Sequence, residues 1–192
     1  MRKFALLSFA LVPFCPSCTS YMQDSKPGAP PGPNEAMVVF CRPSRFIAAG
    51  EKFPVWDGAE LVGFAEDGAT IEHRCAPGEH FFVASAQTYK GIPATLAGGQ
   101  VYYVWVTPRV GMLVTAVGFT PVPKGDEKLF EEVRASIAAN RFRAKVPAEC
   151  ESFAADWRAS VQQAIEEFKS GKRECEPALR AEDGRVPNAP MP

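Results

Sequence analysis

The sequence contains only two histidines, and it has no cluster of lysines and arginines. Its formal net charge of -1 creates no positive field that would gather phosphates, so nucleic acid is not an expected partner. No serine lies in a G-x-S-x-G motif, and no Lys-Ser or Lys-Thr follows Gly98-Gly99. The sequence therefore lacks both a serine-hydrolase nucleophile turn and a phosphate-binding loop, and we expect no cofactor.

The apolar run from Phe4 to Phe14 covers about eleven residues, fewer than the roughly 20 that a helix needs to cross a bilayer. It follows the cationic start Met1-Arg2-Lys3, a pattern typical of an export signal. Cys18 after the small residue Ser17 resembles a bacterial lipoprotein signal, although Cys15 stands where that signal usually has an aliphatic residue. We predict a signal peptide over residues 1–18 with lipid on Cys18. A conventionally cleaved signal and an uncleaved anchor remain alternatives.

Residues 19–35 are rich in proline and glycine and contain the run Lys26-Pro27-Gly28-Ala29-Pro30-Pro31-Gly32-Pro33. Proline removes a backbone donor and glycine resists ordering, so we predict a tether between the anchor and the folded body. The expected location is the bacterial cell envelope, with the protein anchored to the membrane by lipid and facing the periplasm. An envelope protein or a glycan is the further partner expected there.

Four more cysteines, Cys41, Cys75, Cys150 and Cys175, are disulfide candidates because an exported protein meets an oxidising compartment. Four thiols allow three pairings. A helix between Cys150 and Cys175 would separate them by roughly 28 Å, unless it is shorter than the pattern indicates. We favour Cys41 with Cys75 on two strands of one sheet, and a bond from Cys150 to the sheet is the main alternative.

Between Phe53 and Arg109, short runs rich in β-branched and aromatic residues alternate with turn signals, which predicts a β-meander. The signals are Asp57-Gly58, Asp67-Gly68, Pro77-Gly78 and Gly98-Gly99. Met37 to Arg42 is expected to be the first strand and Gly111 to Phe119 the last, with Lys90 to Gln100 as a longer excursion. Residues 36–122 are thus predicted to form an antiparallel β-sandwich of about seven strands.

After Pro121 the apolar residues change to helical spacing, which predicts two amphipathic helices packed on the sandwich over residues 123–173. Asp126 is a good N-cap for the first helix. The second is predicted from Glu151 to Ser170, with an apolar stripe formed by Phe153, Trp157, Val161, Ile165 and Phe168. Residues 174–192 are polar and rich in proline, and we predict that they are disordered.

Three runs carry a family resemblance: Asp57-Gly58-Ala59-Glu60-Leu61-Val62-Gly63, Ala76-Pro77-Gly78-Glu79-His80 and Ala97-Gly98-Gly99-Gln100-Val101-Tyr102-Tyr103. The segment from Met37 to Pro121 resembles the bacterial envelope family called domain of unknown function 2846, and it is similar to other small β-domains of the PEGA type. The resemblance implies a small β-sandwich, often a lipoprotein, and no assigned activity.

The best candidate for chemistry is the set His73, Cys75 and His80. Residues 73 and 75 point to the same face of a strand, and a turn at Pro77-Gly78 would bring His80 opposite Cys75. Three such donors could bind a zinc-like ion, or a histidine could activate the thiol as a nucleophile. The spacing matches no established metal motif, so a structural role is the favoured interpretation.

Aromatic residues on the predicted strands could form a platform for a sugar or a peptide: Trp56, Tyr89, Tyr102, Tyr103 and Trp105. Packing in the core is the simpler interpretation of the same residues. The sequence therefore predicts a non-enzymatic binding or structural module anchored in the envelope. A metal- or thiol-dependent envelope enzyme that uses His73, Cys75 and His80 is the alternative.

Overall fold

The computed structural model describes residues 20–46, 48–110 and 115–187, so the signal peptide and Cys18 lie outside the described residues. Within the described ranges the chain is mainly β, with ten strands in two sheets and two α-helices. None of the helices in these ranges is both long and apolar enough to span a membrane. The strands are β1 (Met22–Asp24), β2 (Ala36–Arg42), β3 (Phe53–Asp57), β4 (Glu60–Ala65), β5 (Ala69–Cys75), β6 (Gly78–Ser85), β7 (Tyr89–Leu96), β8 (Val101–Val110), β9 (Thr115–Pro121) and β10 (Arg141–Lys145).

The first sheet has six strands in the order β1-β10-β5-β2-β8-β9, and the second has four in the order β4-β3-β6-β7. β2 runs parallel to β8, and β10 runs parallel to β5. The prediction of a purely antiparallel arrangement of about seven strands was therefore wrong. The strands that were not predicted are β1 and β10, which are short, and β7, which contains a proline. Short runs and runs interrupted by proline both give a weak strand signal.

The predicted meander is also wrong, because the chain changes sheets after β4, after β5 and after β7. The Asp57-Gly58 turn does close a hairpin between β3 and β4, with Gly58 at φ 55°. At the next Asp-Gly turn, Asp67 instead accepts hydrogen bonds from Ser44 Oγ and the Arg45 amide, both at 2.9 Å. Turn residues reverse the chain locally, but they do not determine which sheet the next strand joins.

Two segments that we predicted to be unstructured are partly ordered. β1 lies inside the predicted tether and pairs with β10, and Met22 is buried against the second sheet, where its Sδ accepts from the Phe64 amide at 3.3 Å. Near the C-terminus, Leu179 is buried and pairs with Ala94 of β7. A short 3₁₀ turn follows at Ala181–Asp183. A few buried side chains and backbone pairings hold each segment, a feature too local for composition to reveal.

The two helices cover opposite sheets. Helix α1 (Glu127–Ala139) begins at the predicted cap, where Asp126 Oδ1 accepts from the Leu129 amide at 2.9 Å. Its buried residues Val133 and Ile137 pack on the outer face of the first sheet. Helix α2 (Pro147–Lys169) packs against the second sheet through its buried residues, which include Val161, Ile165 and Phe168.

Side chains from both sheets share one core. Phe40 of β2 lies 5.5 Å from Phe82 of β6 and 5.8 Å from Phe119 of β9, measured between ring centroids. These three residues are fully buried, as is Val55 of β3. Alternate residues of β2, Met37 and Val39 among them, point away from this core towards α1. The inner and outer faces of the first sheet are therefore both covered.

All four cysteines in the described ranges are free thiols, so the predicted disulfide between Cys41 and Cys75 was wrong. Cys41 pairs with Thr70 and Cys75 with Ala36, at the two ends of the same strand pair. Five residues along a strand span about 17 Å, whereas a disulfide requires Cα atoms within about 7 Å. The alternative bond from Cys150 is not formed either, and its Sγ donates to the Tyr21 carbonyl at 3.2 Å.

Candidate functional site

The two histidines converge on Asp57, at the end of β3. Its Oδ2 lies 3.0 Å from His73 Nε2 and 2.8 Å from His80 Nδ1. The histidines reach it from different sheets, because His73 belongs to β5 and His80 to β6. The connection at Pro77-Gly78 crosses between the sheets, and Gly78 begins β6 with φ 130°. His80 therefore approaches Cys75 across the gap between the sheets, and not as a hairpin partner.

Both ring nitrogens of His80 contact oxygen acceptors. Nδ1 donates to the Asp57 carboxylate, and Nε2 contacts the Ala76 carbonyl oxygen at 2.8 Å. Neither oxygen can donate, so both contacts are hydrogen bonds only when the ring carries two protons. His80 also stacks on Phe82, with ring centroids 5.8 Å apart and an interplanar angle of 4°. The ring is thus held from three sides.

Asp57 and Cys75 have shifted pKa values. Burial acts to raise the pKa of Asp57, but the hydrogen bond from His73 and the positive charges of His80 and His73 lower it below its usual range. Burial, together with the negative charges of Asp57 and Glu60, raises the pKa of the Cys75 thiol to about 12. Asp57 is therefore a carboxylate at neutral pH, and Cys75 is not an activated thiolate.

The predicted set of donors is only partly brought together. Asp57, Cys75 and His80 each place one ligand-type atom within 4.8 Å of the others. His73 contacts Asp57 but does not belong to that set. Sequence reasoning missed Asp57, because its position before Gly58 marks it as a turn residue. A search for carboxylates near the two histidines could have identified Asp57. However, Asp57 becomes their neighbour only when the two sheets pack together.

The five predicted platform residues do not form one surface. Trp56 and Tyr102 are both 0% exposed. Tyr103 is buried under α1, where its ring lies 5.2 Å from that of Phe130, and Trp105 packs against the same cluster. Trp56 packs against α2, Tyr102 lies in the core that the two sheets share, and Tyr103 lies under α1, so these residues do not share one open face.

Trp56 and Tyr89 instead line a groove between α2 and the second sheet, with a volume of about 470 Å³. Phe153 and Trp157 of α2 form its other wall, and their rings stack at 5.9 Å. Trp157 is 48% exposed, although it belongs to the predicted apolar stripe of the helix. Polar residues also line the groove: Glu51, Lys52, Ser85 and Gln87. The Trp56 Nε1–H is buried and has no hydrogen-bond partner among the described residues.

A larger cavity of about 680 Å³ lies between α1 and the first sheet. Some polar atoms along it are engaged within the chain, since Glu72 Oε2 accepts from the Gly28 amide at 2.7 Å and Arg185 Nη1 pairs with Glu127. Glu72 Oε1 and Arg185 Nε are buried there without a hydrogen-bond partner among the described residues. Arg185 also covers the Phe130 ring at 3.6 Å. Because the groove beside α2 offers the half-exposed ring of Trp157 together with polar side chains, it is the better ligand site.

No protein-family model, no curated protein and no solved structure matches the chain. The resemblance of Met37 to Pro121 to an envelope family stays a prediction. Functional conclusions rest on the geometry of two places, which we call the Asp57 cluster (Asp57, His73, Cys75 and His80) and the α2 groove (Trp56, Tyr89, Phe153 and Trp157 with the polar residues beside them).

Proposed function

We propose that the chain is a non-enzymatic binding module of the bacterial cell envelope, built as a β-sandwich and anchored by lipid on Cys18, that binds a glycan in the α2 groove. The packing of Phe40 from one sheet against Phe82 from the other supports the sandwich. The half-exposed ring of Trp157 beside the α2 groove is the observation that carries the proposal of a ligand.

The lining of the α2 groove suits a sugar. Aromatic faces pack against the C–H faces of pyranose rings, and polar side chains at the edge can bond the hydroxyl groups. The groove offers the rings of Trp157, Phe153 and Tyr89 together with Glu51 and Gln87. Its volume of about 470 Å³ lies within the range of roughly 300–1,000 Å³ found for small-molecule sites.

Tryptophan fluorescence can test this proposal, because two of the three tryptophans line the groove. A soluble tetramer of β-1,4-linked N-acetylglucosamine serves as the probe for envelope glycan. We expect saturable quenching in the wild type, and Trp157→Ala to weaken binding about tenfold, which corresponds to about 1.4 kcal/mol. Trp105→Phe is the matched control, since Trp105 lies on the first sheet. Equal binding by Trp157→Ala, or no quenching in the wild type, would contradict the glycan proposal.

The anchor is proposed on the signal-like sequence around Cys18 and is tested separately. Cys18→Ala should move the protein from the membrane fraction to the soluble fraction, because the lipid would have no attachment site. Membrane retention equal to that of the wild type would argue against lipid on Cys18.

The alternative function is a metal- or thiol-dependent envelope enzyme that uses His73, Cys75 and His80. The thiol-dependent form is disfavoured, because Cys75 has a raised pKa and both histidines contact Asp57. The convergence of Asp57, Cys75 and His80 favours metal binding instead. Elemental analysis of the purified protein, together with the rate of Cys75 alkylation, distinguishes the two forms of the alternative.

A further inference from the structure

Three side chains with metal-ligating atoms meet where the two sheets face each other. Asp57 ends β3, Cys75 ends β5 and His80 lies in β6. One ligand atom from each lies within 4.8 Å of the other two, and all three side chains are partly buried. The glycan proposal makes no use of this arrangement.

We propose that Asp57, Cys75 and His80 bind a single divalent transition-metal ion of the zinc class, with His73 as a positioning residue and the fourth coordination position open to water. One carboxylate oxygen, one thiolate sulfur and one imidazole nitrogen form a mixed donor set that zinc accepts. Its ligand distances are about 2.0–2.3 Å, which places the ligand atoms of a tetrahedron about 3.3–3.8 Å apart. Small side-chain rotations therefore suffice to close the site.

Hydrogen bonds around the three ligands supply an independent observation. A metal-bound histidine usually donates its second ring N–H to a carbonyl or a carboxylate, which fixes the ring. His80 Nε2 contacts the Ala76 carbonyl oxygen at 2.8 Å, and Nδ1 faces the Asp57 carboxylate, so the metal would take the place of the Nδ1 proton between these two ligands. His73 Nε2 lies 3.0 Å from Asp57 Oδ2, and Asp57 Oδ1 lies 3.0 Å from His80 Nδ1, a contact that the metal would replace. The outer contacts of a metal site are therefore already in place.

Charge and proton balance are consistent with a divalent ion. When the metal binds, the Nδ1 proton of His80 and the Cys75 thiol proton leave to solvent, and the metal forms one bond to each atom. The Asp57 carboxylate and the new thiolate then offset the two positive charges of the ion. The Asp57 and His80 side chains are 14% and 15% exposed, so the site is accessible to ions from solvent. Bound metal would tie β5 of the first sheet to β3 and β6 of the second.

Cobalt(II) titration of the purified full chain tests the proposal, because thiolate-bound cobalt has a charge-transfer absorption that oxygen and nitrogen ligands do not produce. We expect one site with this absorption, displaced by zinc. Cys75→Ser should abolish the charge-transfer absorption, and His80→Asn should weaken binding at least tenfold. Cys175→Ser is the matched control for the thiol, and Trp157→Ala should bind cobalt normally. Failure of the metal site is thus distinguishable from failure of the glycan site.

A second measurement needs no substitution, in case a variant fails to fold. Zinc should slow the alkylation of Cys75 in the wild-type protein at least tenfold, measured peptide by peptide by mass spectrometry, while Cys175 is unaffected. A chelator should restore the original rate. Unchanged Cys75 alkylation with zinc, or cobalt absorption that persists in a folded Cys75→Ser variant, would overturn the proposal.

Discussion

Trp56 and Asp57 are neighbours on β3, and they belong to two very different places. Trp56 lies against α2, with its ring 6.4 Å from that of Phe153, and its buried Nε1–H has no partner among the described residues. Asp57 lies towards β5 of the other sheet and accepts from His73 and His80. The polar groups of the Asp57 cluster thus bond one another. The α2 groove, in contrast, leaves the Trp56 Nε1–H without a partner among the described residues and the ring of Trp157 half-exposed.

This difference separates stability from binding. Removing a member of a buried, mutually bonded polar group leaves the remaining members unpaired, which lowers the free energy of unfolding. Removing a half-exposed ring costs little stability, but it removes surface that a ligand would contact. Substitutions in the Asp57 cluster should therefore act first on folding, and those at the outer wall of the α2 groove should act first on binding.

Asp57→Ala is expected to have the largest effect, a loss of about 3 kcal/mol in the free energy of unfolding. It removes the acceptor shared by His73 and His80 and leaves both rings without a counter-charge. Urea unfolding in the absence of metal measures this loss. The matched control is Asp67→Ala, which also removes an aspartate before a turn glycine, but from an exposed site. We expect the control to lose about 1 kcal/mol in the free energy of unfolding. Equal losses for the two variants would contradict a special contribution of the Asp57 cluster to stability.

Within the wall of the α2 groove, Phe153→Ala and Trp157→Ala should differ. Phe153 is partly buried and packs against Tyr21, Trp56 and Phe64, so its truncation should cost about 2 kcal/mol. Trp157 is 48% exposed, and its loss should cost less than about 1 kcal/mol. Thermal or urea unfolding of both variants checks the order. A larger loss for Trp157 would mean that its ring supports the fold rather than a ligand.

Local features of the fold could be predicted from sequence, and the pairing of distant segments could not. The hairpin at Asp57-Gly58 and the two helices follow from turn chemistry and helical spacing. The sequence predicts a longer excursion over Lys90 to Gln100, where the structure has β7, and Gly91 and Pro93 weaken the strand signal there. In the structure it is an edge strand, and its free carbonyls at these positions accept from Glu176 and Leu179. Because these partners lie far along the chain from β7, their pairing with it leaves no periodic pattern in the sequence.

The candidate sites show the same difference between residues close together in sequence and residues brought together only by the fold. The two histidines and Cys75 were identified because rare chemical groups fall close together in sequence. Asp57 was missed because its distance from them closes only when the two sheets pack. The exposure of Trp157 was missed for a related reason, since a helical stripe predicts which residues share a face but not how far the covering sheet extends along it.

Gly78→Ala tests the connection that brings His80 to Asp57. Gly78 has φ 130°, a conformation that a side chain strains, although a Cβ there would meet nothing within 4 Å. We expect a loss of about 1 kcal/mol in the free energy of unfolding, from backbone strain alone. Gly125→Ala is the control, because its Cβ would also meet open space and its φ is not in the positive region. Similar stability of the two variants would mean that the connection carries no strain.

The smallest expected effect is that of a reductant, which should leave the unfolding midpoint unchanged. Removing a native disulfide typically costs about 2–5 kcal/mol, but Cys41, Cys75, Cys150 and Cys175 are free thiols. Alkylation in denaturant without reductant should label all four, whereas in the native protein Cys41 should react most slowly, because its side chain is completely buried. A midpoint lowered by reductant would show that a disulfide contributes to stability, and a Cys75 that resists labelling in denaturant would show that Cys75 is oxidised. The Asp57 cluster would then have no thiol to bind a metal. Its difference from the α2 groove would rest only on the contacts of Asp57 with His73 and His80.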